Sequence, residues 1–201
     1  MTKYLKYLFI LFIAAIAPAC EDKEADTTLD FIGDSLVARW DLPAYFPSRM
    51  VENYGKSGAT IDYLEQYAGH FVGRIVVIEI GTNDSWQMAP QHVEAYSRRY
   101  IEAVIGLGAK RVYLYSVLPR DFENDAPDTN RNILNFNAII KQKVKEYPQI
   151  TYLDVYPGFL LDGKPNPGLY NDRRLRPLDY RLPAAPRPHP LYRRRGYDAH
   201  H

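Results

Sequence analysis

The segment Arg74-Ile75-Val76-Val77-Ile78-Glu79-Ile80 constrains this chain most. Its β-branched residues run almost without a break until Gly81 stops them. A strand with one wet face alternates apolar and polar residues. A strand that is apolar on both faces must be covered on both, as in a parallel sheet flanked by helices. Four more runs punctuate the chain. Leu29 to Ile32 ends at Gly33, and a weaker run, Met50 to Asn53, ends near Gly55. Arg111 to Val117 is stopped by Pro119, and Ile150 to Val155 is the last. Helical patterns lie between them. Ile61 to Phe71 is short. Gln91 to Leu107 carries Val93, Tyr96, Tyr100, Ala103, Val104 and Leu107 on one stripe. Asn130 to Tyr147 sets Ile133, Leu134, Phe136, Ile139, Ile140 and Val144 toward a core, and Pro148 ends it. Strands and helices in alternation predict an open parallel α/β sheet of five strands with helices on both faces. Ligands then belong at the carboxyl ends of the strands. No repeat or linker interrupts residues 29–172.

Composition narrows the function. The chain has 201 residues, one domain's worth, and 46% of them are apolar, enough for a real core. A net charge of +1 argues against a general nucleic-acid binder. A single cysteine excludes a disulfide framework and a cysteine-based zinc site. The charge is unevenly spread, however. Residues 173–201 hold eight Arg, two Asp, five Pro and no Lys, whereas residues 1–172 hold 17 basic and 22 acidic side chains. An acidic body is joined to a basic, Pro-rich end.

The N-terminus reads as a targeting segment. Lys3 and Lys6 precede the apolar run Tyr7 to Ile16, which is too short to span a bilayer as a mature helix. Residues 1–19 form the expected signal peptide. The boundary Ala17-Pro18-Ala19-Cys20 resembles a bacterial lipobox, with Ala17 where Leu is usual. That resemblance implies lipidation of Cys20, with residues 20–28 as a tether. The expectation is an exported, membrane-anchored lipoprotein whose only membrane contact is the lipid; an ordinary cleaved signal would leave it periplasmic or secreted.

Three motifs sit at strand ends. Gly33-Asp34-Ser35 follows the first strand, Asn53-Tyr54-Gly55-Lys56-Ser57-Gly58-Ala59-Thr60 the second, and Gly81-Thr82-Asn83-Asp84 the third. On one sheet edge these supply a hydroxyl, backbone N–H groups freed by glycine and a side-chain amide, the parts of an acyl-transfer site. Each motif alone has a structural role open to it. Ser35 can cap a helix, Gly58 can serve a tight turn, and Asn83 and Asp84 can close a loop through their own side chains. Asp34 reads as a loop hydrogen-bonder, His70 and His92 as surface residues, and Trp86 as a pocket wall or a loop cover.

In order and spacing the three blocks resemble the SGNH/GDSL hydrolases, esterases and lipases on a flavodoxin-like three-layer α/β/α fold. The resemblance spans Leu29 to Asp172. It implies that Ser35 is the nucleophile. It also implies that the Ser35 N–H, the Gly58 N–H and the Asn83 amide form the oxyanion hole. The substrate would be a small-molecule, glycan or lipid ester, attacked through a covalent acyl-enzyme with no metal or organic cofactor.

The family's last motif, D-x-x-H, supplies the Asp that orients the His and the His that acts as base. Here Asp172 fits the Asp, but Leu175 stands three residues on. Allowing one extra residue, Leu175-Arg176-Pro177 imitates L-H-P with Arg in place of His, and Arg stays protonated at neutral pH. Codons exist for Pro177 to Leu182 that read P-S-T-T-G-Y when shifted by one base, matching the family's wording after the His. The tail beyond about Pro177 therefore reads as frameshifted. Within it, His189-Pro190 followed by Gly196-Tyr197 imitates H-P…G-Y with two extra residues in the spacing, and Asp198-Ala199-His200-His201 satisfies D-x-x-H. Both read as chance matches, with His189 the better stand-in for the base, and a flexible basic extension is the other reading of the tail. Two rivals remain. One is an inactive remnant or binding protein of the same fold. The other is a nucleotide-binding module, disfavoured because no Gly-rich phosphate loop follows the first strand.

Overall fold

The computed structural model describes residues 28–169. The strands are β1 (Leu29–Gly33), β2 (Val51–Gly55), β3 (Ile75–Glu79), β4 (Arg111–Tyr115) and β5 (Ile150–Leu153). All are parallel, in the order β2-β1-β3-β4-β5. Burial explains why the runs differ in strength. β1 and β3 are central and buried at every position. β2 lies at an edge and has no fully buried residue, so its sequence signal is weak.

Alternation along the strands splits the core in two. Ile32, Val76 and Ile78 face α3 (Ile61–Glu65), α4 (Val93–Gly106) and α5 (Thr129–Lys143). Leu29, Phe31, Ile75 and Val77 face the opposite layer, with Val37 of α1 (Ser35–Ala38), Leu42 of α2 (Leu42–Tyr45) and Phe159 of the 3-10 turn Tyr156–Phe159. A two-residue hairpin, β6 (Leu160–Leu161) with β7 (Lys164–Pro165), follows. The expected stripe is buried at all six positions, five on α4 and Leu107 just after it. Two details differ from expectation. The first helical segment stops at Glu65, and turns carry the chain on to Phe71. Leu134, expected in the core, is 48% exposed, because α5 buries Ile133, Phe136, Asn137 and Ile140 and Leu134 falls outside that face. No helix among the described residues is long and apolar enough to cross a membrane.

This strand order reverses direction between β1 and β3, and the crevice at such a reversal is where ligands bind. The two strands approach closely there. A Cβ on Gly33 would lie 1.9 Å from the Glu79 carbonyl oxygen, so only glycine fits. Farther along the same edge, Asn137 brackets Val117. Its Oδ1 accepts from the Val117 N–H at 2.9 Å and its Nδ2 donates to the Val117 carbonyl at 2.8 Å. Ser116 Oγ accepts from the N–H groups of Val155 and Tyr156 at 3.0 and 2.9 Å, tying the ends of β4 and β5 together.

Candidate active site

Ser35, Gly58 and Asn83 follow the carboxyl ends of β1, β2 and β3, three neighbouring parallel strands. The loops that carry them are joined by backbone bonds. Lys56 N–H donates to the Gly33 carbonyl at 3.0 Å, and Asp34 N–H to the Glu79 carbonyl at 3.2 Å.

Ser35 is the first residue of α1, but it does not cap that helix. Asp34 does, its Oδ1 accepting from the Leu36 N–H at 2.9 Å. The helix start is thus satisfied by the preceding side chain. Gly58 has φ +78°, the left-handed region, in open surroundings where an added Cβ would meet nothing within 4 Å. Its glycine therefore serves the backbone conformation, not packing. Asn83 belongs to a 3-10 turn, Thr82–Met88. Its Nδ2 donates to the Ala59 carbonyl at 2.8 Å. A primary amide carries two N–H donors, so this bond fixes the group and leaves one hydrogen for a ligand.

Asp84 is buried and holds the same two loops together. Its Oδ2 accepts from the Ile61 N–H at 2.8 Å, and its Oδ1 accepts from Gln87 at 3.1 Å. It caps α3 from 23 residues away, where Thr60 makes no side-chain cap bond. Burial raises the Asp84 pKa, opposed by the Ile61 N–H. On the third side, Arg120 donates to the Thr82 carbonyl and pairs with Asp125 at 2.7 Å. Its guanidinium carbon lies 4.2 Å from the centre of the Phe122 ring. The loop after β4 is thereby fastened to the turn that carries Asn83.

Beneath Ser35, Asp34 and Glu79 are both buried. Burial pushes the Asp34 carboxyl up to about 6, and Glu79 well above the usual carboxylate range, with the Asp34 charge adding to the second effect. Glu79 lines a cavity of about 40 Å³ together with Leu36, Val37, Tyr115, Leu118 and Val155. Neither Asp84's cap, nor Arg120's reach, nor the facing of Asp34 and Glu79 can be read from local motifs; each depends on strand register. Trp86 is 66% exposed, with its ring 6.0 Å from that of His92. His70 and His92 are exposed. Among the described residues no group of three or more His, Cys, Asp or Glu is placed to hold a metal. The signal segment, Cys20 and most of its tether, Asp172, Leu175, His189 and the rest of residues 173–201 lie outside the described residues.

The model of the GDSL-like lipase/acylhydrolase family matches residues 31–190. None of the curated proteins matches the chain. Sixty solved chains match it. One, from Streptococcus pneumonia, is 24% identical, with a TM-score of 0.59 over 73% of this chain and 75% of that one. A GDSL-like lipase from Bacteroides thetaiotaomicron is 22% identical, with a TM-score of 0.58 over 84% of this chain and 88% of the other. An acetylxylan esterase from Geobacillus stearothermophilus, solved as a catalytic mutant, is 19% identical, with a TM-score of 0.51 over 76% of this chain and 87% of that one.

Proposed function

For a chain that belongs to the GDSL-like lipase/acylhydrolase family, we propose a serine ester hydrolase that works through a covalent acyl-enzyme on Ser35. The observation that carries this reading is the fastening of three strand-end loops on one sheet edge, above all the Asn83 to Ala59 bond of 2.8 Å. Rigid donors aimed at a developing oxyanion need no reorganisation during reaction, which is what makes them effective.

In this reading Ser35 Oγ attacks the ester carbonyl and the base takes its proton. The carbonyl oxygen, now negative, accepts hydrogen bonds from the Ser35 N–H, the Gly58 N–H and the free hydrogen of Asn83. Collapse expels the alcohol, which takes the proton from the base. Water, activated by the same base, then releases the carboxylic acid and restores Ser35. The base is the weak part. Arg176 holds its proton and Leu175 has none to exchange. His189 is the stand-in, with Asp172 to orient it, and the family match reaches 190 and so includes both. An imidazole titrates near neutral pH and suits the role. The competing reading, an inactive remnant, is favoured by Leu175 at the position three after Asp172.

The substrates are small-molecule or glycan esters, and the likeness to an acetylxylan esterase supports acetylated sugars as one class to assay. The test is release of a chromogenic alcohol from a short acyl ester by the chain with its reading frame restored after Pro177 and Arg176→His, with Ser35→Ala as control. Activity retained in Ser35→Ala would end the reading.

The lipobox-like boundary leads to a second expectation. If Cys20 carries the lipid, Cys20→Ser moves the protein from the membrane fraction of its native host to the soluble fraction. Membrane association that is unchanged in Cys20→Ser would dismiss the anchor.

A further inference from the structure

We propose that Asp34 and Glu79 share a single proton, and that this buried joint positions Ser35 against the strand carrying the oxyanion turn. It rests on the reading of Ser35 as nucleophile. Gly33 and Glu79 are register partners in the β1–β3 pair. The Asp34 N–H donates to the Glu79 carbonyl, which places both acids at the crevice between the two strands. Asp34 is 1% exposed and Glu79 5%.

Taken as two carboxylates, this pair is unsatisfied. Asp34 Oδ1 has the Leu36 N–H, but Asp34 Oδ2 and both Glu79 oxygens have no hydrogen-bond donor. Two like charges would also face each other, with Glu79 lining an apolar cavity, an arrangement that strongly disfavours double ionisation. The surroundings offer little compensation. Just after α1, the exposed Arg39 is the cation that acts on Asp34, and from the turn after β3 Asp84 adds negative charge. From α4 and β4 come the phenols of Tyr100 and Tyr115, both pushed upward and so kept neutral. One proton resolves the conflict: a Glu79 O–H donates to the Asp34 carboxylate. Asp34 is the ionised partner because its Oδ1 accepts from the Leu36 N–H, which favours its charge, whereas neither Glu79 oxygen has a donor.

The joint has a mechanical consequence. Asp34 caps the helix whose first residue is Ser35, while Glu79 ends the strand that leads through Gly81 to Asn83. Glu79 is thus a positioning residue acting through Asp34. At alkaline pH its proton is lost, repulsion loosens the cap, and Ser35 shifts from the oxyanion donors. Stability follows the same sign. In the folded state the pair keeps its shared proton at pH values where the unfolded chain has lost it. Their contribution is therefore complete below the ordinary carboxylate range and falls as pH rises through the raised values.

The test uses the full chain labelled with carbon-13 at its Asp and Glu carboxyl groups. The Glu79 resonance, assigned by its loss in Glu79→Gln, should report a protonated carboxyl at pH 7 while Asp34 reports an ionised one. In the chain with the reading frame restored after Pro177 and Arg176→His, the rate of Ser35 modification by a fluorophosphonate should fall by about tenfold on the alkaline side, the scale of a lost charged hydrogen bond. Glu79→Gln, whose amide still donates to Asp34 but cannot ionise, should flatten that limb and reduce the loss of thermal stability between pH 5 and pH 8. An ionised Glu79 at pH 7, or an alkaline limb unchanged in Glu79→Gln, overturns the joint. A protonated Glu79 in a frame-restored chain whose Ser35 never reacts would instead overturn the nucleophile reading alone.

Discussion

Restoring the reading frame after Pro177, with Arg176→His at the motif position, is expected to raise hydrolysis of a short-chain chromogenic ester by about 10⁴-fold over the chain as it stands. The magnitude follows from the chemistry of the missing base. A hydroxyl is a weak nucleophile at its own pKa and needs an adjacent acceptor for its proton. Disabling the base system of a serine hydrolase costs on the order of 10⁴ in turnover and leaves the contribution of the oxyanion donors and substrate binding. The present chain offers Leu175 and Arg176 where a histidine is needed, so near-background turnover is expected of it. Ser35→Ala in the restored chain should return activity to that background. The opposite pattern, brisk hydrolysis by the present chain that His189→Ala abolishes, would mean that the basic end supplies the base and that the frameshift account is wrong.

Asn83→Ala in the restored chain should lower turnover by about 10²- to 10³-fold, the typical cost of removing one oxyanion donor. The structure adds a reason for the upper half of that range. The Asn83 amide also holds the Ala59 carbonyl at 2.8 Å, next to Gly58, so its removal frees a second donor's loop. The loss should fall on kcat with KM little changed, because the interaction strengthens as charge develops on the carbonyl oxygen. A loss confined to KM would place Asn83 in ground-state binding and remove it from the oxyanion hole.

Much of this architecture is legible in the residues themselves. β3 reads as a buried strand because its five residues are buried on both faces, and α4 reads correctly because its stripe residues all turn inward. β2 is faint for a physical reason: an edge strand with no fully buried residue has no need of a continuous apolar run. Leu134 misleads because it lies three residues from the buried Asn137, at the margin of the buried face, and periodicity alone does not say where such a face stops. At the candidate site, Ser35, Gly58 and Asn83 stand out because strand-end motifs are local. Glu79 does not, since within Ile75–Glu79 it looks like the polar end of a strand. Its partner becomes visible only once β1 and β3 are set in register. Asp84 capping Ile61 and Arg120 reaching Thr82 are hidden for the same reason, being separated in sequence by 23 and 38 residues.

The central claim is that Ser35 is the nucleophile of an acyl-transfer site formed with Gly58 and Asn83. Its most direct test is mass spectrometry of the frame-restored chain after treatment with a fluorophosphonate. The account predicts one adduct, on the peptide that contains Gly33-Asp34-Ser35, absent from Ser35→Ala and slowed in Asn83→Ala. An adduct on another residue, or none in a folded, frame-restored chain, would contradict it.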